Sequence, residues 1–141
     1  MKIVSAIMGT IYPLSCLCCD ASLAFSFEVL CKECLGSLCW DEDSHVTLSQ
    51  DIVTEKIVKS LYHAPSKRLY DFVASLMILK MAQAEIDFES IAALSDRVSQ
   101  RLGKAIAKKL KFPLSKKGDL CIALEGKKEE GYFLFKERRP N

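Results

Sequence analysis

The sequence predicts an α/β protein, with a small cysteine-bound module followed by a short α/β unit. Three observations carry this. Near the N-terminus four cysteines stand in two C-x2-C pairs, Cys16/Cys19 and Cys31/Cys34. Strand-like and helix-like segments then alternate, as in an α/β unit containing some parallel sheet. Two final apolar stretches, DLCIAL and YFLFK, flank EGKKEEG and read as a β-hairpin or two short strands. The acidic turn DEDSH marks the expected boundary, dividing the chain into residues 1–45, an N-terminal helix and metal-binding module, and 46–141, a small α/β domain with a C-terminal hairpin.

The elements follow in order. Residues 2–12 are apolar and are expected to form a short helix ended by Pro13, which disfavours helix at Tyr12. The same stretch, MKIVSAIMGTIYPLSC, resembles a short signal peptide, and Cys16 after Leu14-Ser15 hints at lipoprotein processing. Pro13, the single Lys2 and the crowding of Cys18 and Cys19 argue against export. No apolar run approaches the ~20 residues of a membrane-spanning helix. A cytoplasmic protein is expected.

Five of the seven cysteines lie within residues 16–34. Seven is an odd number, and disulfide scaffolds spread their cysteines to staple distant loops, so a purely disulfide framework does not fit. Each C-x2-C turn can aim two sulfurs at one point, and the eleven residues between the pairs, DASLAFSFEVL, can return the chain as a hairpin or loop. Cys16, Cys19, Cys31 and Cys34 are therefore the expected ligands of a structural zinc, which takes four thiolates tetrahedrally and leaves no open catalytic position. Cys18 competes with Cys19, Cys39 is a spare nearby, and His45 is a weaker candidate. A module of this kind has almost no core, so metal binding supplies much of its folding energy.

Residues 46–60 are ambiguous between a helix begun near Ser49 and strand pieces, and KIVKSLYHA has strand-like β-branched and aromatic content ahead of Pro65. Ser66 is placed to cap a helix running to about Ala84, apolar on more than one side and so largely buried. FESIAALS is a short apolar run consistent with a buried strand. Ser95 is the expected cap of the next helix, in which Val98, Leu102, Ala105, Ile106 and Leu110 recur at helical spacing before Pro113. Cys121 lies inside an apolar strand and is expected in the core.

Charge is distributed unevenly. Residues 1–94 hold 7 Lys/Arg and 12 Asp/Glu, net −5, whereas residues 95–141 hold 13 and 6, net +7. A basic third of this kind is a solvated helix face or a site for an anionic partner. Arg97, Arg101, Lys104, Lys108 and Lys111 are the candidate nucleic-acid contacts on it. His63, Asp71 and Lys80 suggest acid/base work only weakly, since no nucleophile accompanies them. No Walker loop or dinucleotide fingerprint is present.

Three stretches carry a resemblance: IYPLSCLCC with LCKECLGSL, then SLYHAPSKRLYDFVASLMILKM, then LGKAIAKKLKFPL. Together, discontinuously over roughly residues 10–114, they resemble the ComF family of bacterial competence proteins. The resemblance implies a zinc-binding N-terminus joined to a phosphoribosyltransferase-type α/β domain, linked to uptake and processing of transforming DNA. Active phosphoribosyltransferases carry paired acidic residues at a strand end, followed by a Thr/Gly-rich loop for the donor phosphate. Here LCIALEGKKEEG offers Glu125 and no Thr-Thr-Gly. A shortened, non-catalytic relative is therefore expected, with no catalytic residue assigned and a small-molecule substrate doubtful. Its expected partner is single-stranded nucleic acid or a DNA-processing protein. Two alternatives stay open: a transferase with an atypical donor loop near Glu125, and a zinc-stabilised protein-interaction module.

Overall fold

The computed structural model describes residues 15–23, 29–43, 45–93, 96–125 and 131–137. The helix expected over residues 2–12 and the EGKKEEG turn (beyond its end residues) lie outside them, as do residues 24–28 between the two cysteine pairs. The elements are α1 (Lys32–Gly36), β1 (Val46–Leu48), α2 (Ile52–His63), α3 (Lys67–Gln83), β2 (Ile91–Ala93), α4 (Arg97–Leu110), β3 (Leu120–Glu125) and β4 (Tyr132–Glu137). The four strands form one mixed sheet in the order β1-β4-β3-β2. β3 and β4 pair antiparallel, as a hairpin should, with Ile122 opposite Phe135. β2 and β3 pair parallel, Ile91 opposite Leu120, so α4 is the crossover of a β2–α4–β3 unit.

The segment KIVKSLYHA is helical rather than extended, contrary to its β-branched content. The buried residues of α2, Val53, Thr54, Ile57, Val58 and Leu61, recur at helical spacing, and the Asp51 carboxylate accepts from the N–H groups of Val53 and Thr54. The apolar period and the cap prevail over local strand propensity. The helix ends at His63, two residues before Pro65. Cap and length of α3 match expectation: Ser66 accepts from the Leu69 N–H, and Ala84 closes the far end. The cap of α4 is Asp96, one residue beyond Ser95, because its carboxylate reaches the Ser99 N–H at 2.9 Å. α4 stops at Leu110, before Pro113, with Lys111 in the left-handed region (φ 60) donating to the Ala107 carbonyl.

Three close approaches hold α4 and the sheet together. An added Cβ at Gly103 would come within 2.9 Å of the Ala93 Cβ, so a glycine lets α4 sit directly on β2. Buried Ser99 accepts from the Leu124 N–H at 3.0 Å, joining α4 to β3. Gly118 lies against the backbone of β2, where a Cβ would meet the Ile91 carbonyl carbon at 2.3 Å.

A single core contains Leu48, Ile57, Met77, Leu102, Ile106, Ile122, Phe133 and Phe135, and it also takes in Cys16, Val29, Leu30 and Leu38 from the cysteine-bearing segment. Cys121, on the other side of β3 from Leu120 and Ile122, is only half-buried. No helix among the described residues is long and apolar enough to cross a membrane.

Candidate metal centre

Local hydrogen bonding builds the cysteine cluster. Cys16 begins a tight turn closed by the Asp20 N–H donating to its carbonyl at 3.0 Å, and Asp20 takes the left-handed φ of 62 that reverses the chain. The Cys16 N–H bonds the Ala21 carbonyl at 2.7 Å, and Ser15 bridges Ser22, so the turn sits at the head of a narrow antiparallel ribbon. The Leu17 N–H reaches the Val29 carbonyl at 3.0 Å and thereby returns the chain to the second pair. There Cys31 caps α1, its sulfur accepting from the Cys34 N–H at 3.5 Å. Both pairs thus point their sulfurs inward from turns.

The sulfurs of Cys16, Cys19, Cys31 and Cys34 all lie within 4.8 Å of one another. Those of Cys19 and Cys31 are 3.6 Å apart, far beyond the ~2.05 Å of a disulfide. A tetrahedron of sulfurs ~2.3 Å from a central ion has edges of ~3.8 Å, so the observed separation fits four thiolates about one cation. None of the seven cysteines is in a disulfide. The four converging sulfurs could hold a metal ion. Cys18 and Cys39 lie outside this group. His45 sits 3.7 Å from the Asp43 carboxylate and against Phe135.

The thiols of the cluster do not ionise alike. Burial raises the Cys16 thiol, yet the backbone N–H groups of residues 31, 19 and 18 outweigh it and bring it to about 6. Burial and the neighbouring cysteines push Cys34 strongly the other way. The Cys16 thiolate forms easily, and those of Cys19 and Cys34 resist forming beside it. A divalent ion at the centre removes that repulsion.

Besides its packing into the core, side-chain contacts from α2 and α3 tie this segment to the rest of the protein. Lys56 on α2 donates to the Cys18 carbonyl at 2.7 Å. The buried Lys80 on α3 donates to the Asp41 carbonyl. Asp51, the cap of α2, faces the Cys39 thiol and pushes its pKa up, which keeps the thiol protonated. Lys80 is therefore engaged away from His63, which is exposed at the end of α2.

The basic residues of α4 form a second feature. Arg97, Arg101, Lys104 and Lys108 follow one another on α4 at steps of three or four, so they run along one stripe, and Lys111 stands just past its end. Arg97, Lys104, Lys108 and Lys111 are exposed, whereas Arg101 lies over the Tyr70 ring of α3, 4.3 Å from its centroid. Packing of α3 against α4 adds three cations that the charge count did not single out. Lys67 joins Arg101, Lys104 and Lys108 around one groove, and Arg68 and Lys109 line its continuation. Asp71 is a carboxylate lining both parts. Lys67, Lys104, Lys108 and Lys109 make no ion pair among the described residues. The sequence signal for the addition is the Lys67-Arg68 pair directly after the Ser66 cap, in a first turn without an acidic residue.

No protein-family model, curated protein or solved structure matches the chain.

Proposed function

We propose that the protein is a ComF-like, non-catalytic accessory protein of DNA uptake or processing, working in the reducing environment of the cytoplasm. In this reading Cys16, Cys19, Cys31 and Cys34 hold a structural zinc, and the α4 stripe meets single-stranded nucleic acid or a protein partner. The convergence of the four sulfurs carries the metal half of the proposal. Four soft thiolates in tetrahedral array favour zinc over harder cations and leave no site for a substrate. The ion would close the turn at Cys16–Cys19 onto α1, and it would lend folding energy to that segment. Parallel pairing of β2 with β3 supports an α/β ancestry of the expected kind. The lysines of the α3–α4 groove, without an ion pair among the described residues, support an anionic partner, since such cations bind phosphates by releasing counterions.

Two measurements on the purified chain test the halves separately. Metal analysis should return one zinc per chain, and a value below about half an equivalent removes the metal half. Oligonucleotide binding should weaken steeply with salt, and binding indifferent to salt removes the electrostatic half.

A further inference from the structure

We propose that Lys56 is a positioning residue of the metal centre, an inference that rests on the metal reading above. Its ammonium donates to the Cys18 carbonyl at 2.7 Å. Cys18 stands between the ligands Cys16 and Cys19, and its N–H points to the Cys16 sulfur at 3.4 Å. The turn is therefore held from both sides: one end of the Cys18 residue touches a ligand sulfur, and the other is fixed by a cation on a different element.

Two consequences follow from that geometry. The first is mechanical. α2 is itself anchored, because Glu55, the residue before Lys56, accepts from the Tyr132 hydroxyl of β4 at 3.0 Å. α2 thus carries Lys56 from a fixed element, and its ammonium meets the Cys16–Cys19 turn at the Cys18 carbonyl. The second is electrostatic. Four thiolates around a divalent ion leave a formal charge of about −2, which a nearby ammonium lowers in energy. Among the described residues, the turn segments bring Asp20 and Glu33, both exposed and of the wrong sign, against one exposed cation, Lys32. Lys56 supplies positive charge from outside the segment, hydrogen-bonded to the turn itself. Outer groups that orient metal ligands typically matter about tenfold or more for affinity.

The test measures zinc transfer from the full chain to a chromogenic chelator, for wild type and three variants at the one position. Lys56→Met should weaken zinc retention about tenfold. Lys56→Arg, which keeps both charge and donor, should return it to within about threefold of wild type, and Lys56→Gln, which keeps only a donor, should fall between. Raising the salt concentration should weaken wild type more than Lys56→Gln, a readout that simple loss of packing would not move. Lys56 is exposed, so the variants should fold, and circular dichroism checks this. Equal zinc retention in wild type and Lys56→Met overturns the inference while leaving the metal centre in place. So does an Lys56→Arg variant as weak as Lys56→Met. A wild-type chain that holds no zinc overturns the metal reading itself, and this inference with it.

Discussion

Replacing Gly118 with alanine tests whether β2 and β3 are joined as described, and with them the crossover that carries the basic stripe. Gly118 precedes β3, where the chain comes down onto the backbone of β2. A Cβ there would lie 2.3 Å from the Ile91 carbonyl carbon, 2.5 Å from the Ala92 nitrogen and 2.6 Å from the Ile91 oxygen. All three are backbone atoms of a strand paired in the sheet, so no side chain can rotate to make room. Overpacking of a well-packed site costs 1–3 kcal/mol, and the absence of a yielding neighbour puts this one at about 3 kcal/mol. An unfolding entropy of about 2.1 cal/mol/K per residue gives about 0.3 kcal/mol/K for the chain, so Tm should fall by about 10 °C. Thermal unfolding followed by circular dichroism reads this directly. Gly36→Ala is the control: a Cβ there meets nothing within 4 Å, and the variant should stay within about 1 kcal/mol of wild type. A Gly118→Ala protein as stable as wild type would refute the close approach of β2 and the pairing built on it.

Other expectations follow from individual contacts. Removing zinc held at about a thousandfold above its Kd takes away about 4 kcal/mol, so a strong chelator should lower Tm by about 14 °C, and returning zinc should restore it. An unchanged Tm would mean that the cluster does not contribute to folding. Asp51 is raised by burial but lowered more by the Cys39 thiol and by the N–H groups of Thr54 and Val53, so its carboxyl sits below the ordinary 3.8. The stability it contributes is complete above 3.8 and is lost as pH falls through the lower folded value. Asp51→Asn, still a good cap, should cost little at neutral pH and flatten the acid limb of a stability profile, whereas Asp51→Ala should cost about 1 kcal/mol at neutral pH. Lys104→Gln with Lys108→Gln should reduce the salt slope of single-strand binding by about 1.4, at roughly 0.7 per phosphate contact. An unchanged slope would place the nucleic acid elsewhere.

Features fixed by neighbours in the chain were legible from the residues. The C-x2-C pairs announce a converging sulfur cluster because two turns suffice to aim four side chains. Ser66 announces α3 because a cap acts over three residues, and the apolar runs after Gly118 announce a hairpin because its partners are adjacent. Competing local signals defeated the reading of α2, where Val53, Ile57 and Val58 are good strand formers and only the spacing of buried positions argues for helix. Ser95 and Asp96 are both good caps, and which one serves is settled by reach to the Ser99 N–H. Tertiary arrangement is harder still. Nothing local places β1 beside β4, brings Lys67 and Arg68 to the α4 stripe, or sets Lys56 on the Cys18 carbonyl. These are products of packing across 38 residues or more in the case of Lys56, and of helix against helix in the case of the groove.

Zinc K-edge absorption on the purified chain, together with its metal content, addresses the metal centre most directly. One zinc per chain with four sulfur neighbours at about 2.3 Å is the predicted result. A first shell containing nitrogen or oxygen in place of sulfur, or less than about half an equivalent of zinc after controlling for loss, would contradict a site made by Cys16, Cys19, Cys31 and Cys34.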